Sequence, residues 1–161
     1  MFTGSQSITQ MGYVVDDLDR EIRRWNEKGA GNFLVYKDIR VPLKYRGNDT
    51  TLHLSIALSQ FDGVQIELVQ QHDRVESGFL DAFPDSWPTD DNGFHHVGMI
   101  SADFDRTCAQ LEDEGHVNAM SGEFGGYRFA FYDTRSKLGF FLEVFEGNDA
   151  MRAFFETIRL A

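Results

Sequence analysis

The 161-residue chain contains one cysteine and three prolines, and it has no apolar run of membrane-spanning length. Cys108 cannot form an internal disulfide, and its place on the apolar side of a predicted helix favours a packed thiol over a nucleophile. Crossing a bilayer takes roughly 20 apolar residues, and the amino-terminal segment has no signal-peptide pattern. We therefore expect a cytoplasmic protein that does not enter the membrane.

Basic residues are also scarce, with 15 Lys and Arg against 26 Asp and Glu and a net charge of −11. This charge repels phosphate backbones and anionic lipid surfaces, so neither nucleic acid nor a membrane is expected as a partner. A strongly anionic substrate, such as a coenzyme A ester, would need a local cluster of basic side chains. A small-molecule partner fits the composition better.

Two stretches of the chain are copies of one another at a constant interval of 86 residues. The pairs at this interval are Gln10 and His96, Gly12 and Gly98, Asp17 and Asp103, Asp19 and Asp105, Arg20 and Arg106, and Gly29 and Gly115. A duplicated unit of this size predicts two equivalent half-structures related by a pseudo-twofold axis, with matching positions facing a shared centre.

Each copy is predicted to fold as a βαβββ module within a single domain, 1–161. Apolar alternation, helical spacing and turn residues give the element bounds. Module one (about 7–70) has strands Ser7–Val15, Asn32–Tyr36, Thr51–Ser59 and Val64–Gln70, with a helix from its cap Asp17 to Gly29. Module two (about 93–146) has strands Phe94–Ser101, Val117–Ser121, Tyr127–Tyr132 and Phe140–Phe145, with a helix over Phe104–Glu114.

Two further segments lie outside the copies. Residues 71–92 hold two of the three prolines and are predicted to be a linker, of which Phe79, Leu80 and Phe83 pack on the core. Residues 149–160 carry apolar residues at helical spacing and are predicted to form a C-terminal helix. The fold class is α+β, with a curved mixed sheet around a central cavity.

A glutamate interrupts the apolar last strand of each module, at Glu67 and Glu143. A carboxylate there costs several kcal/mol unless it is paired or bound to a cation, although either residue alone could point to solvent. Gln10 and His96 open the two modules and Glu67 and Glu143 close them. Three oxygen donors and one imidazole predict a site for one divalent ion, Zn, Ni, Co, Mn or Fe.

These motifs resemble the vicinal oxygen chelate superfamily, which includes glyoxalases, bleomycin resistance proteins and dioxygenases. The resemblance spans Ile8 to Glu146 and is nearest to the branch with glyoxalase I and methylmalonyl-CoA epimerase. The motifs that carry it are Met-Gly-Tyr-Val-Val-Asp-Asp-Leu-Asp after Gln10, His95-His96-Val-Gly, Ile-Glu67-Leu-Val and Leu-Glu143-Val. The resemblance places the family's metal ligands on Gln10, Glu67, His96 and Glu143, and it implies a homodimer.

The resemblance implies a metal-dependent isomerase or lyase that stabilises the enolate or enediolate of a small or hydrophobic carbonyl or thioester substrate. Glu143 is the predicted general base, with Glu67 the second candidate. The residues after Glu67 lack the asparagine of glyoxalase I, and no glutamate lies between Lys28 and Ile66 to act as a second epimerase base. The alternatives are a protein that binds a hydrophobic compound without catalysis and an iron-dependent dioxygenase.

Other polar residues have weaker assignments. His95 is expected to point away from His96, because neighbours on a strand face opposite sides. His53 is expected to point outward, and His72 and His116 to be ordinary surface residues. A substrate carboxylate could be held by three side chains, Tyr127, Arg128 and Arg46.

Overall fold

The computed structural model describes residues 6–161, and its elements follow the βαβββ order twice. Part of the amino-terminal segment considered for a signal peptide therefore lies outside the described residues. The first module consists of β1 (Ile8–Val14), α1 (Leu18–Glu27), β2 (Leu34–Tyr45), β3 (Asn48–Phe61) and β4 (Val64–Gln71). The second consists of β5 (Phe94–Ser101), α3 (Phe104–Asp113), β6 (Val117–Phe124), β7 (Tyr127–Asp133) and β8 (Phe141–Glu146).

The eight strands close into one barrel in the order β1-β4-β3-β2-β6-β7-β8-β5. The pairs β1/β4 and β5/β8 are parallel and the other neighbours are antiparallel, so the sheet is mixed, as predicted. Each module supplies four adjacent strands, and the modules join at β1/β5 and β2/β6. The two copies are thus equivalent halves of one barrel, with their first strands side by side.

The helices of the two copies begin in the same way. Asp17 accepts a hydrogen bond from the backbone NH of Arg20 at 2.9 Å, and Asp103 accepts one from that of Arg106 at 3.1 Å. Such a cap satisfies one of the free NH groups at a helix start and is worth about 1 kcal/mol. The aspartates of the repeat therefore act in folding, since they set where α1 and α3 start on the outside of the barrel.

The hairpin of β2 and β3 is longer than predicted. β2 runs to Tyr45 rather than ending at Tyr36, and β3 begins at Asn48 rather than Thr51. A bulge after Tyr36 interrupts the period-two pattern on which the prediction depended. β2 pairs with β6 only at Lys44 and Tyr45, so the edge of β2 that faces β6 is unpaired at Pro42. A proline, which has no backbone NH, is tolerated at such an edge.

The predicted linker contains a short helix, α2 (Gly78–Ala82), capped by Ser77. Phe79 is buried in the main hydrophobic cluster and Phe83 packs against that cluster, which confirms that part of the linker joins the core. Another short helix, α4 (Arg135–Leu138), lies between β7 and β8 and was not predicted. Within residues 6–161 no helix has the length and apolar character that crossing a bilayer requires.

The C-terminal helix, α5 (Asp149–Leu160), has the predicted bounds and packs over the interior of the barrel. Phe154 and Phe155 line the central cavity together with aromatic residues from the strands. The Phe154 ring lies 5.6 Å from that of Phe124 and 6.1 Å from that of Tyr127, in the range of favourable aromatic pairs. Much of the aromatic content of the chain therefore fills the barrel.

Candidate metal centre

The four predicted ligands meet inside the barrel around a single atom, Nε2 of His96. This nitrogen lies 3.0 Å from Oε1 of Gln10, 3.1 Å from Oε2 of Glu67 and 3.2 Å from Oε2 of Glu143. The His96 side chain is fully buried, and those of Glu67 and Glu143 are 14% and 6% exposed. The two glutamates thus face the interior, and the alternative in which they point to solvent is wrong.

The duplicated glycines make room for the first ligand of the opposite module. In the β1/β5 ladder Gly12 pairs with His96, and Gly98 pairs with Gln10. A Cβ added at Gly12 would lie 1.9 Å from Cε1 of His96, and one at Gly98 would lie 2.6 Å from Cε2 of Phe145 and 3.0 Å from Cβ of Gln10. The sequence pattern of a ligand followed two residues later by glycine therefore has a steric reason on both strands.

We expect Gly12→Ala to weaken divalent-ion binding by roughly 10-fold to 100-fold, the range seen when the support of a ligand is lost. The new methyl group overlaps the His96 ring, which must turn away from the carboxylates. Isothermal titration calorimetry on the metal-free protein measures the effect. Gly31→Ala is the matched control, because its Cβ would come no closer than 3.6 Å to another atom. Equal affinities in both variants would contradict this role of Gly12.

A hydrogen bond fixes the orientation of the Gln10 amide. Its Nε2 donates to Oε1 of Gln65 at 2.6 Å, which leaves the carbonyl oxygen of Gln10 directed at His96. Oε2 of Glu143 is buried and lies 3.2 Å from Nε2 of His96, which also faces Gln10 and Glu67. Three acceptor oxygens therefore converge where the protein supplies at most one proton, on Nε2 of His96. Such a cluster of acceptors suits a cation.

The charges at the site are strongly coupled. Burial lowers the pKa of His96, but hydrogen bonds and charge interactions with Glu143 and Glu67 outweigh this and raise the pKa to about 9. Burial also raises the pKa of Glu143 to about 7, although its contact with His96 acts in the opposite direction. Without a metal, a proton on His96 neutralises part of the carboxylate charge at neutral pH. A divalent ion would replace that proton.

His95 is a supporting residue that the sequence prediction missed. Nε2 of His95 must donate to the carbonyl oxygen of Gly78, 2.9 Å away, because a carbonyl only accepts. Burial, together with the charge of His96, lowers the pKa of His95 well below its usual value, so its Nδ1 carries a lone pair. That lone pair accepts a hydrogen bond from Nδ1 of His96 at 3.0 Å. Nε2 of His96 is then the nitrogen available to a metal.

The expectation that His95 points away from the site is wrong because the strand is irregular there. Gly12 pairs with His96 but Tyr13 pairs with Phe94, so no residue of β1 faces His95 in the ladder. A second irregularity of the ladder occurs at Thr9 in β1. Thr9 lies 86 residues before His95 and is therefore its counterpart in the first copy. A β-bulge changes the direction of a side chain, and simple alternation does not apply across it. The adjacent histidines were the only signal in the sequence.

Gln10, Glu67 and Glu143 line a cavity of about 70 Å³, whereas the fully buried His96 does not line it. Pockets for drug-sized ligands have volumes of roughly 300–1,000 Å³, so this space suits a small group rather than a bulky compound. The cavity wall is otherwise mostly apolar, and it includes neither Lys nor Arg among the described residues. Tyr127 also lines the cavity, and burial, followed by the charges of Glu143 and Glu67, raises the pKa of its hydroxyl.

Two of the three candidate carboxylate-binding residues lie elsewhere. Arg128 forms ion pairs with Asp105 and Glu146, and Arg46 with Asp81. Neither arginine lines the cavity, because each has acidic partners near the surface. Only Tyr127 reaches the site.

The remaining histidines and the cysteine have different environments. His53 points out of the barrel, as expected, since its neighbours Leu52 and Leu54 are buried in the core. His116 is buried at 5% exposure, so its assignment to the surface is wrong. Cys108 packs against the hydrophobic cluster under α3, which agrees with its prediction as a packed thiol.

The two βαβββ modules agree with the curved mixed sheet predicted from the sequence, and they close into a barrel. The model of the Glyoxalase/Bleomycin resistance protein/Dioxygenase superfamily matches residues 9–131. The chain belongs to this superfamily. No curated protein matches the sequence.

Solved structures share this fold at low sequence identity. A hypothetical protein from Bacillus halodurans has a TM-score of 0.60 at 15% identity, covering 90% of this chain and 96% of its own. Methylmalonyl-CoA epimerase from Mycobacterium tuberculosis has a TM-score of 0.56 at 20% identity, covering 91% of each chain. An epimerase variant from Streptomyces coelicolor has 0.53 at 16%, covering 89% of this chain and 95% of its own. At these identities the likeness shows the fold alone.

Proposed function

We propose that the protein is a metal-dependent isomerase or lyase of the glyoxalase and epimerase type. One divalent ion (Zn, Ni, Co, Mn or Fe) would be held by Gln10, Glu67, His96 and Glu143. The observation that carries the proposal is the convergence of three oxygen atoms on Nε2 of His96 at 3.0–3.2 Å. Ligands about 2.1 Å from one ion lie about 3.0 Å apart in an octahedron and about 3.4 Å apart in a tetrahedron. The three distances from Nε2 are close to these spacings, and the ligand atoms of Glu67, His96 and Glu143 lie within 4.8 Å of one another.

When bound, the ion would act as a Lewis acid that polarises a carbonyl oxygen of the substrate. Glu143 is the proposed general base. It would take a proton from the carbon next to the carbonyl, the electron pair of that bond would move into the enolate, and the proton would return to a neighbouring atom of the substrate. Glu143 suits this role better than Glu67, because its side chain is more deeply buried, at 6% against 14% exposure.

The cavity favours a small and uncharged reacting group. Two carboxylates balance the charge of one divalent ion, so a further anion would meet no compensating charge. Among the described residues the wall includes neither Lys nor Arg for a carboxylate or phosphate, and about 70 Å³ does not fit a bulky compound. Tyr127 lines the cavity, and its neutral hydroxyl would donate to a substrate oxygen. We therefore propose a small neutral carbonyl compound, or the acyl end of a thioester, as the reacting group.

Carbon acidity tests this proposal before the physiological substrate is identified. The metal-loaded protein is incubated in deuterium oxide with small α-hydroxycarbonyl compounds and short acyl thioesters, and NMR follows deuterium incorporation next to the carbonyl. We expect exchange that stops when the ion is removed by a chelator and returns when it is restored. A protein that binds no divalent ion, or whose exchange does not respond to the ion, would favour a non-catalytic binding protein instead.

The affinity of the site for its ion should rise with pH. Because metal ligands must be deprotonated, binding displaces the proton of His96, with a pKa of about 9, and below pH 7 also that of Glu143. Affinity should rise by up to about 100-fold per pH unit below 7, by about tenfold per unit between 7 and 9, and level off above 9. Calorimetry in buffers of different ionisation enthalpy counts the released protons. A constant affinity from pH 6 to 9, with no proton released, would contradict the assignment.

A further inference from the structure

We propose that Asp38, His53 and His72 form a second site for a divalent transition-metal ion, on the outer surface of the barrel. One nitrogen or oxygen atom from each of the three side chains lies within 4.8 Å of the other two. Nε2 of His53 is 3.3 Å and Nε2 of His72 is 3.8 Å from Oδ1 of Asp38. This site is independent of the central one and of the reaction proposed for it.

Three neighbouring strands bring the ligands together. Asp38 lies in the bulge of β2 with a φ of 53°, His53 lies in β3, and His72 directly follows β4. The bulge lies between the pairs Tyr36/Ile56 and Ile39/Leu54, next to the position of His53. A hydrogen bond of 2.9 Å from the backbone NH of His72 to the carbonyl oxygen of His53 holds the two histidines side by side. Their ring centroids are 4.6 Å apart.

The ligand geometry suits a small divalent ion. Four ligands at about 2.1 Å from zinc lie about 3.4 Å apart, and the two measured distances to Asp38 are close to this value. The histidine side chains are 23% and 24% exposed and that of Asp38 is 73% exposed, so an ion could enter from solvent and water could complete its shell. Two imidazoles favour Zn, Ni, Co or Cu over Mg or Ca, which prefer oxygen ligands.

Two aspartates lie near the histidines, Asp73 and Asp38, and they have different hydrogen-bond partners. Asp73 accepts hydrogen bonds from the backbone NH groups of His53 and Val75 and from the amide of Gln71, so its oxygens are in use. Within residues 6–161 Asp38 has no such set of donors, and its carboxylate faces the two imidazoles. With neutral imidazoles the site carries one negative charge, which suits a cation.

A hydrolytic Ser-His-Asp arrangement does not explain these residues. Such a triad needs the serine on one imidazole nitrogen and the aspartate on the other. Here Ser55 Oγ, at 2.7 Å, and Asp38 Oδ1 both approach Nε2 of His72. Ser55 is buried and also accepts from the backbone NH of Asp38. Its hydroxyl can therefore donate its own proton to Nε2, which keeps that nitrogen deprotonated, and an ion bound there would displace this hydrogen bond.

The test uses the full chain with His96→Ala, in which the central site is disabled and any remaining ion is bound elsewhere. Zinc is added in excess, free ion is removed by gel filtration, and the bound ion is counted by mass spectrometry. We expect one ion per chain, lost or weakened on the order of 100-fold or more when Asp38→Asn or His72→Gln is added. Asparagine tolerates the left-handed backbone of residue 38. Asp85→Asn, at an exposed position, is the matched control.

A second measurement does not depend on the variants folding. In the unmodified protein, the imidazole NMR signals of His53 and His72 should shift together as Zn²⁺ is added, while those of the buried His116 stay unchanged. The proposal is wrong if the His96→Ala protein retains no ion, or if Asp38→Asn and His72→Gln leave its retained ion unaffected. Loss of the central site alone would contradict the proposed function and not this second site.

Discussion

Replacing His96 with alanine will reduce the affinity of the central site for its divalent ion by about 10³-fold or more. The imidazole would supply the only nitrogen among the four proposed ligands, and its Nε2 is the atom on which the three oxygens converge. Losing a supporting residue alone typically costs 10-fold to 100-fold, so loss of the ligand should cost more. The measurement is calorimetric titration of the metal-free protein in an Asp38→Asn background, which removes the proposed second site.

His116→Asn is the matched control, because His116 is another buried histidine that lies outside both proposed sites. We expect this variant to keep the affinity of the parent protein. Circular dichroism checks that both variants are folded. If His96→Ala binds the ion as tightly as the parent, the ion is not held by these four residues.

Replacing Glu143 with glutamine will reduce the rate of deuterium exchange next to the substrate carbonyl by about 10²-fold to 10⁴-fold, the contribution expected of a general base. Glutamine keeps an oxygen that can contact the ion but cannot accept the proton. The loss should therefore appear in turnover at saturating metal, with the ion still bound. Metal content and exchange rate are measured on the same protein sample.

Glu146→Gln is the matched control for this variant. Glu146 ends the same strand, β8, but its carboxylate pairs with Arg128 near the surface. We expect it to keep the full exchange rate. A Glu143→Gln variant that binds the ion and exchanges at the parental rate would exclude Glu143 as the base, and Glu67→Gln would then be the next variant to measure.

The repeated sequence predicted the fold and the meeting of Gln10, Glu67, His96 and Glu143 inside it, because both depend on local signals. The 86-residue interval that pairs Gly12 with Gly98 also pairs the two first strands, which lie side by side in the barrel. The closing glutamates are only 76 residues apart, because β6 and β7 are shorter than β2 and β3. The interval of 86 residues does not lead from Glu67 to Glu143. Glu143 was identified because it is a charged residue inside an apolar strand.

The wrong predictions concern side chains whose direction is set by β-bulges or by ion pairs with residues distant in the sequence. The bulge at His95 turns its ring towards His96, and the bulge after Tyr36 brings Asp38 next to His53. Arg128 and Arg46 looked able to bind a substrate, but acidic residues distant in sequence hold them near the surface. Such pairings arise from tertiary structure and are not visible in residue spacing. The homodimer and the cytoplasmic location stay predictions.

The most direct test of a central metal site is a crystal structure of the protein loaded with Zn²⁺, Ni²⁺ or Co²⁺, with anomalous diffraction recorded at the absorption edge of the metal. We predict one anomalous peak inside the barrel, about 2.0–2.3 Å from Oε1 of Gln10, Nε2 of His96 and one carboxylate oxygen each of Glu67 and Glu143. A loaded crystal with no peak among these four side chains would contradict the account.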